Sequence, residues 1–221
     1  MKRTLTAIVL IGIVVTLVGA GTFAYFSDAG RSYDNTFTAG TLDLKVSHSS
    51  AGPWTEGVSG TWTLSNMKPG DETPTASVFF KNFGSIASNT LEITCNYTVT
   101  EEMPQTESDT DPHTDQHPDE MAKYMIITMM FYRNDQLNIN CLTGYDSYFG
   151  QTKDEWKIND ANGDGKISLY ELKLDPLILP SPDTQPNKIT QLDMKIKFDE
   201  SAGNDFQGDT FNLTMIFTLK Q

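Results

Sequence analysis

The chain has 221 residues, 38% of them apolar, and a formal net charge of -13 from 29 Asp and Glu against 16 Lys and Arg. So acidic a surface repels phosphate and anionic lipid, which argues against nucleic acid as a partner, while it attracts divalent cations and keeps an exported chain soluble. Once an export segment is removed, the remainder is long enough for one domain with one sizeable core.

Residues 1–24 have the three-part layout of a secretory signal: Lys2 and Arg3, an apolar run over residues 7–18, then the small Gly19, Ala20, Gly21 and Thr22. That run covers roughly 18 Å as a helix, short of the roughly 30 Å of bilayer hydrocarbon, so cleavage is expected and no membrane association after it. Extension through residues 22–26 would leave an anchor if cleavage failed. Thr22 and Ala24 place small residues where a signal peptidase reads them, so the expected cut follows Ala24 and leaves Tyr25 as the new N-terminus.

Beyond the cut, the dominant signal is period-two alternation, which sends successive side chains to opposite faces of a strand. Residues 41–47 set Leu42, Leu44 and Val46 against Thr41, Asp43, Lys45 and Ser47. Weaker strands are expected at residues 60–64 and 77–82, separated by the turn-rich Lys68, Pro69, Gly70 and Asp71. Residues 91–100 alternate strongly and point Leu91, Ile93, Cys95, Tyr97 and Val99 inward. Residues 101–120 are acidic, proline-bearing and poor in apolar side chains, the composition of a mobile loop. Residues 123–133 are apolar on both faces, as in a strand covered on both sides or a buried helix, with the strand favoured.

Residues 143–187 form a second insertion without a long strand, containing a short helix near 152–158 and a Pro-rich exit at Pro176, Pro180, Pro182 and Pro186. The last two strands, residues 192–199 and 211–219, alternate again. Short half-buried strands joined by Gly, Pro, Asn and Asp turns predict an all-β fold, an antiparallel β-sandwich or jelly roll with two loop insertions.

The most specific local motif is the twelve-residue run from Asp160 to Glu171, which fits a calcium loop at each constrained position. Asp160, Asn162 and Asp164 supply side-chain oxygens, Gly165 permits the bend, Lys166 offers its carbonyl, Ser168 acts directly or through water, and Glu171 closes the shell. Asp175-Pro176 leaves the exit helix little more than a turn, and no second loop pairs with this one, so a structural Ca2+ ion is expected rather than a sensor.

His113 and His117 stand four apart, but Pro112 and Pro118 bracket them and no glutamate follows His113, so a solvated loop is favoured over a metal helix. Asn96 and Asn212 begin glycosylation sequons on the polar faces of their strands. Cys95 and Cys141 are the only cysteines; in an oxidising place they either bridge or remain two buried thiols, and a disulfide is favoured. No nucleophile elbow, phosphate loop or dinucleotide fingerprint is present, so no catalytic residue is assigned.

The run Gly21-Thr22-Phe23-Ala24-Tyr25-Phe26-Ser27-Asp28, followed by Asn35-Thr36-Phe37-Thr38-Ala39-Gly40-Thr41-Leu42-Asp43-Leu44, resembles the N-terminus of the TasA/camelysin family of secreted fibre-forming proteins. Leu64-Ser65-Asn66-Met67-Lys68-Pro69-Gly70-Asp71, Phe80-Lys81-Asn82-Phe83-Gly84-Ser85 and Gln207-Gly208-Asp209 are similar to later parts of the family pattern. The two insertions have no counterpart in it, so the calcium loop belongs to this sequence alone.

The resemblance implies a jelly-roll subunit at residues 41–221, export through a dedicated signal peptidase, and assembly into extracellular fibres or pili of a biofilm matrix. Within such fibres the freed N-terminal segment of one copy completes the sheet of the next, and minor related subunits can join. Residues 25–40 suit that role, since Tyr25, Phe26, Tyr33 and Phe37 are aromatic plugs among small polar residues. Pairing of the segment within its own copy is the alternative. Two other function classes stay open: a monomeric calcium-dependent adhesin, and the surface metalloprotease described for camelysins, for which no metal-helix motif is present.

Overall fold

The computed structural model describes residues 41–58, 67–100, 117–182, 188–202, 206 and 209–221. They belong to one unit, Gly40–Gln221. In chain order the elements are β1 (Leu44–Ser47), β2 (Ala76–Asn82), β3 (Thr90–Thr100), α1 (Pro118–Ala122), β4 (Met125–Arg133), β5 (Asn138–Asn140), β6 (Tyr145–Asp146), β7 (Gln151–Thr152), α2 (Leu169–Leu174), β8 (Leu177–Pro180), β9 (Thr190–Phe198) and β10 (Thr210–Lys220). Two antiparallel sheets result, one in the order β1-β2-β9-β4-β5-β6-β7 and the other in the order β10-β3-β8. The chain is the all-β sandwich that the alternation predicts.

Alternation translates directly into layers. Along β3, Leu91, Ile93, Cys95, Tyr97 and Val99 are buried while Asn96, Thr98 and Thr100 are exposed. From the opposing sheet, Val78 and Phe80 of β2 and Leu192, Met194, Ile196 and Phe198 of β9 fill the same core. Each such side chain contributes roughly 1.5–3 kcal/mol by leaving water. Its polar neighbours keep the outer faces wet.

The two-faced apolar stretch is a strand, and a bulge explains its pattern. The register against β9 shifts between Ile127 and Met129, so the buried positions run Met125, Ile127 and then Met130, Tyr132. An extra residue in one strand moves the following side chains to the opposite parity. Arg133 at the end of β4 pairs with the buried Asp193 of β9 at 2.5 Å, and Ser77 of β2 and Gln191 donate to the same carboxylate.

Three expectations change. The expected disulfide is not formed: Cys95 on β3 donates to the Leu169 carbonyl at 3.3 Å, and Cys141, just past β5 in the other sheet, contacts the Ile139 carbonyl. Both are free and buried, each held on its own sheet, and burial pushes the Cys95 thiol up to about 12. The acidic tract does not stay loop throughout, because Pro118 opens α1, a position where its missing N–H costs nothing. The helix expected near 152–158 is a single 3-10 turn, Asp154–Trp156.

Candidate functional site: a free sheet edge and an acidic loop

Sheet order creates the first feature. β10 pairs with β3 over its whole length, from Thr210 opposite Thr100 to Lys220 opposite Thr90, and among the described residues no strand pairs with its other side. The inward side chains of β3 are at most 6% exposed, whereas the inward row of β10, Phe211, Leu213, Met215, Phe217 and Leu219, is only partly buried. Phe217 meets Phe80 across the core at 4.6 Å and Phe211 meets Tyr97 at 5.2 Å. The row is seated, but its flank is not covered among the described residues.

Other edges are blunted in familiar ways. β8 ends in Pro180 and has four residues, β7 has two, and the far side of β1 is engaged by Thr55, which exchanges backbone hydrogen bonds with Val46. β10 has 11 residues and no proline or charge between Thr210 and Leu219. A long apolar edge of this kind is a template for another strand, and proteins that must stay monomeric interrupt it with charge or proline.

The second feature is the 160–171 loop. Asp160 accepts the backbone N–H groups of Gly163, Asp164 and Gly165, Asn162 accepts that of Asp164, and Asp164 accepts that of Lys166. Gly163 and Gly165 have φ of 76° and 81°, the left-handed region that admits glycine readily and lets this turn close. Ser168 caps α2 in a capping box with Glu171, which is fully buried. Asp160, Asn162, Asp164 and Lys166 are exposed at the surface.

Of the remaining candidates, Asn96 and Asn212 are exposed on adjacent strands of the smaller sheet, with Asn212 opposite Thr98. His117 is exposed and directly precedes α1. Ala24, Tyr25, Phe26, Tyr33, Phe37 and His113 lie outside the described residues. The signal that sequence reasoning did not extract is the flank of β10 left unpaired among the described residues, which depends on strand order. Among the described residues no helix is long and apolar enough to cross a membrane.

The chain is similar to the "major biofilm matrix component" of Bacillus subtilis (strain 168), 41% identical over 83 residues. That match covers 38% of this chain and 28% of the relative's length. A family model described as camelysin metallo-endopeptidase matches residues 1–221. Matched from end to end, and bearing the N-terminal and turn motifs noted above, the chain belongs to the camelysin family.

Proposed function

We propose that the chain is exported, cleaved after Ala24, and assembled outside the cell as a structural, non-enzymatic subunit of biofilm-matrix fibres or pili. Each copy lends residues 25–40 to the free side of β10 in the next. The observation that carries this reading is the β10 edge: 11 residues of unblunted strand whose inward aromatic and aliphatic row is left half-covered. At about 3.4 Å per residue such an edge is about 37 Å long, and residues 25–37 are enough chain to follow it.

Backbone pairing supplies affinity in such a junction and alternate side chains supply specificity. Tyr25, Tyr33 and Phe37 fall on one face of an extended strand and are suited to lie along the row from Phe211 to Leu219, with Phe26 on the opposite face. The named role of the Bacillus subtilis relative supports an extracellular matrix setting. Related minor subunits carrying the same kind of segment would join through the same edge. Calcium enters this reading as a stabilising ion of the subunit, not as part of the junction.

Deleting residues 25–33 from the processed chain tests strand donation. The expected product is a folded monomer, by circular dichroism and sedimentation, that forms no fibres in electron micrographs. Fibres of normal length from this variant would refute strand donation.

The family's description favours a second reading, a metallo-endopeptidase. Casein digestion by the purified processed protein, abolished by chelator, would establish that activity. The structural reading predicts no digestion in either condition.

A further inference from the structure

Glu171 is 0% exposed, and its two carboxylate oxygens have unequal surroundings. Oε2 accepts the backbone N–H of Ser168 at 2.9 Å and the Ser168 hydroxyl. Oε1 is buried without a hydrogen-bond partner. A buried anionic oxygen left unpaired is costly, and such groups are normally matched by a cation or a donor. Glu171 stands at the twelfth position of a loop whose first, third and fifth positions also carry oxygen side chains, and its carboxylate is folded back onto the ninth position, Ser168.

The charge of Lys166 is disposed of separately. At the seventh position only its carbonyl faces the turn in a loop of this type, and its ammonium pairs with Asp199 at 2.7 Å. The cation that would otherwise compete for the acidic loop is thereby held by another segment.

We propose that residues 160–171 bind one calcium ion through side-chain oxygens of Asp160, Asn162 and Asp164, the Lys166 carbonyl, Ser168 directly or through water, and both oxygens of Glu171, and that this ion clamps the two sheets together through α2. The donor set is all oxygen, which selects a hard cation, and its number suits calcium better than the octahedral shell magnesium demands. Asp160 Oδ1 already accepts two backbone amides, while Asp160 Oδ2 and both oxygens of Asp164 accept one donor each and keep a further lone pair for an ion. Among the described residues no three carboxylate, imidazole or thiol groups already converge on one point. Ligation therefore draws the 160–164 turn onto Glu171, so binding and local ordering are one event.

The clamp follows from what the loop touches. Loops of this kind ordinarily pair with a second copy through their eighth position; here Ile127 of β4 donates to the Ile167 carbonyl at 2.7 Å, and Ile126 bridges Ser168. The larger sheet takes the place of the partner loop. On the other side, α2 packs Leu169 and Leu172 into the core and holds β3 of the smaller sheet, where Thr94 and Cys95 donate to the Leu172 and Leu169 carbonyls. The ion would pin a segment that is bonded to both layers.

This inference rests on the ion-stabilised part of the functional reading alone, so loss of calcium binding and loss of polymerisation are separate results. The test is calorimetric titration of CaCl2 into the processed full chain, with thermal unfolding in chelator and in calcium at about 100 times Kd. Glu171→Gln is the informative variant, because glutamine preserves the capping box and removes the buried charge.

The wild type should bind one calcium and gain several degrees in thermal midpoint. E171Q should bind at least tenfold more weakly, lose the calcium-dependent gain, and unfold in chelator no earlier than the wild type. Absence of both heat and thermal shift in the wild type at about 10 mM CaCl2, well above the range for extracellular calcium modules, would overturn the site, as would an E171Q chain with wild-type calcium response. Equal affinity for MgCl2 would overturn the assignment to calcium.

Discussion

Leu213→Lys is expected to stop fibre formation while leaving the sandwich folded. Leu213 is the second of the five inward side chains of β10 and is only partly buried. In the isolated subunit a lysine there can run its stem along the row and keep its ammonium in water, at a cost of about 1 kcal/mol. Once a neighbour's strand lies along that flank the ammonium has no exit. Leaving it in an apolar junction costs on the order of 3 kcal/mol, roughly 100-fold in subunit affinity. An inward-pointing charge is also the device that monomeric sheet proteins use against edge pairing. Ile216→Lys is the matched control, since Ile216 faces outward and is 41% exposed. Light scattering and electron microscopy should show polymer from the control and none from L213K.

Phe80→Ala is expected to have the largest effect on stability. Phe80 is 0% exposed, lies on β2 of the larger sheet and packs edge-on against Phe217 of β10. It is therefore one of the contacts that hold the smaller sheet's edge strand against the opposite layer. Emptying a buried phenyl site loses its transfer free energy and leaves a cavity, about 4 kcal/mol together. Against a total of roughly 5–15 kcal/mol for a domain, this is a large fraction. At roughly 2–4 °C per kcal/mol for a chain of this size, the thermal midpoint should fall by about 8–16 °C. Calorimetry or circular dichroism melting of the two proteins under one calcium concentration measures it. A drop below about 2 °C would mean that the Phe80–Phe217 contact is not part of a packed core.

Strands β3 and β10 were legible in the sequence because their burial alternates strictly, and β9 because its apolar residues alternate, with only the buried Asp193 breaking the burial pattern. β4 was harder to read, since the bulge after Ile127 changes parity in mid-strand and makes both faces look apolar. α1 was missed because Pro118 reads as a breaker, although proline is well tolerated in a helix's first turn. β8 is short, ends at Pro180 and owes its strand state to pairing with β3, a tertiary cause with little local signature.

The two candidate sites divide along the same line. The 160–171 loop is a local motif, so the proposed ligand positions were read from spacing alone; Gly163 and Gly165 adopt the positive φ that its turn requires. What spacing could not reveal is the anchoring of that loop to β4 and β3, or the unpaired oxygen of Glu171. The flank of β10 that no described strand pairs is likewise a property of strand order, which the alternation of a single strand does not encode. The cysteine pair shows the limit of composition. Two cysteines in an exported chain suggest a bridge, yet Cys95 and Cys141 are placed by different sheets and each is spent on local packing.

A structure of the polymer formed by the processed chain, solved by electron cryo-microscopy, is the most direct test of strand donation. The expected density shows residues 25–40 of one copy hydrogen-bonded along Thr210–Lys220 of the next, with Tyr25, Tyr33 and Phe37 on the side of the inward row of β10. Density in which that segment pairs within its own copy, with neighbouring subunits meeting through some other surface, would contradict it.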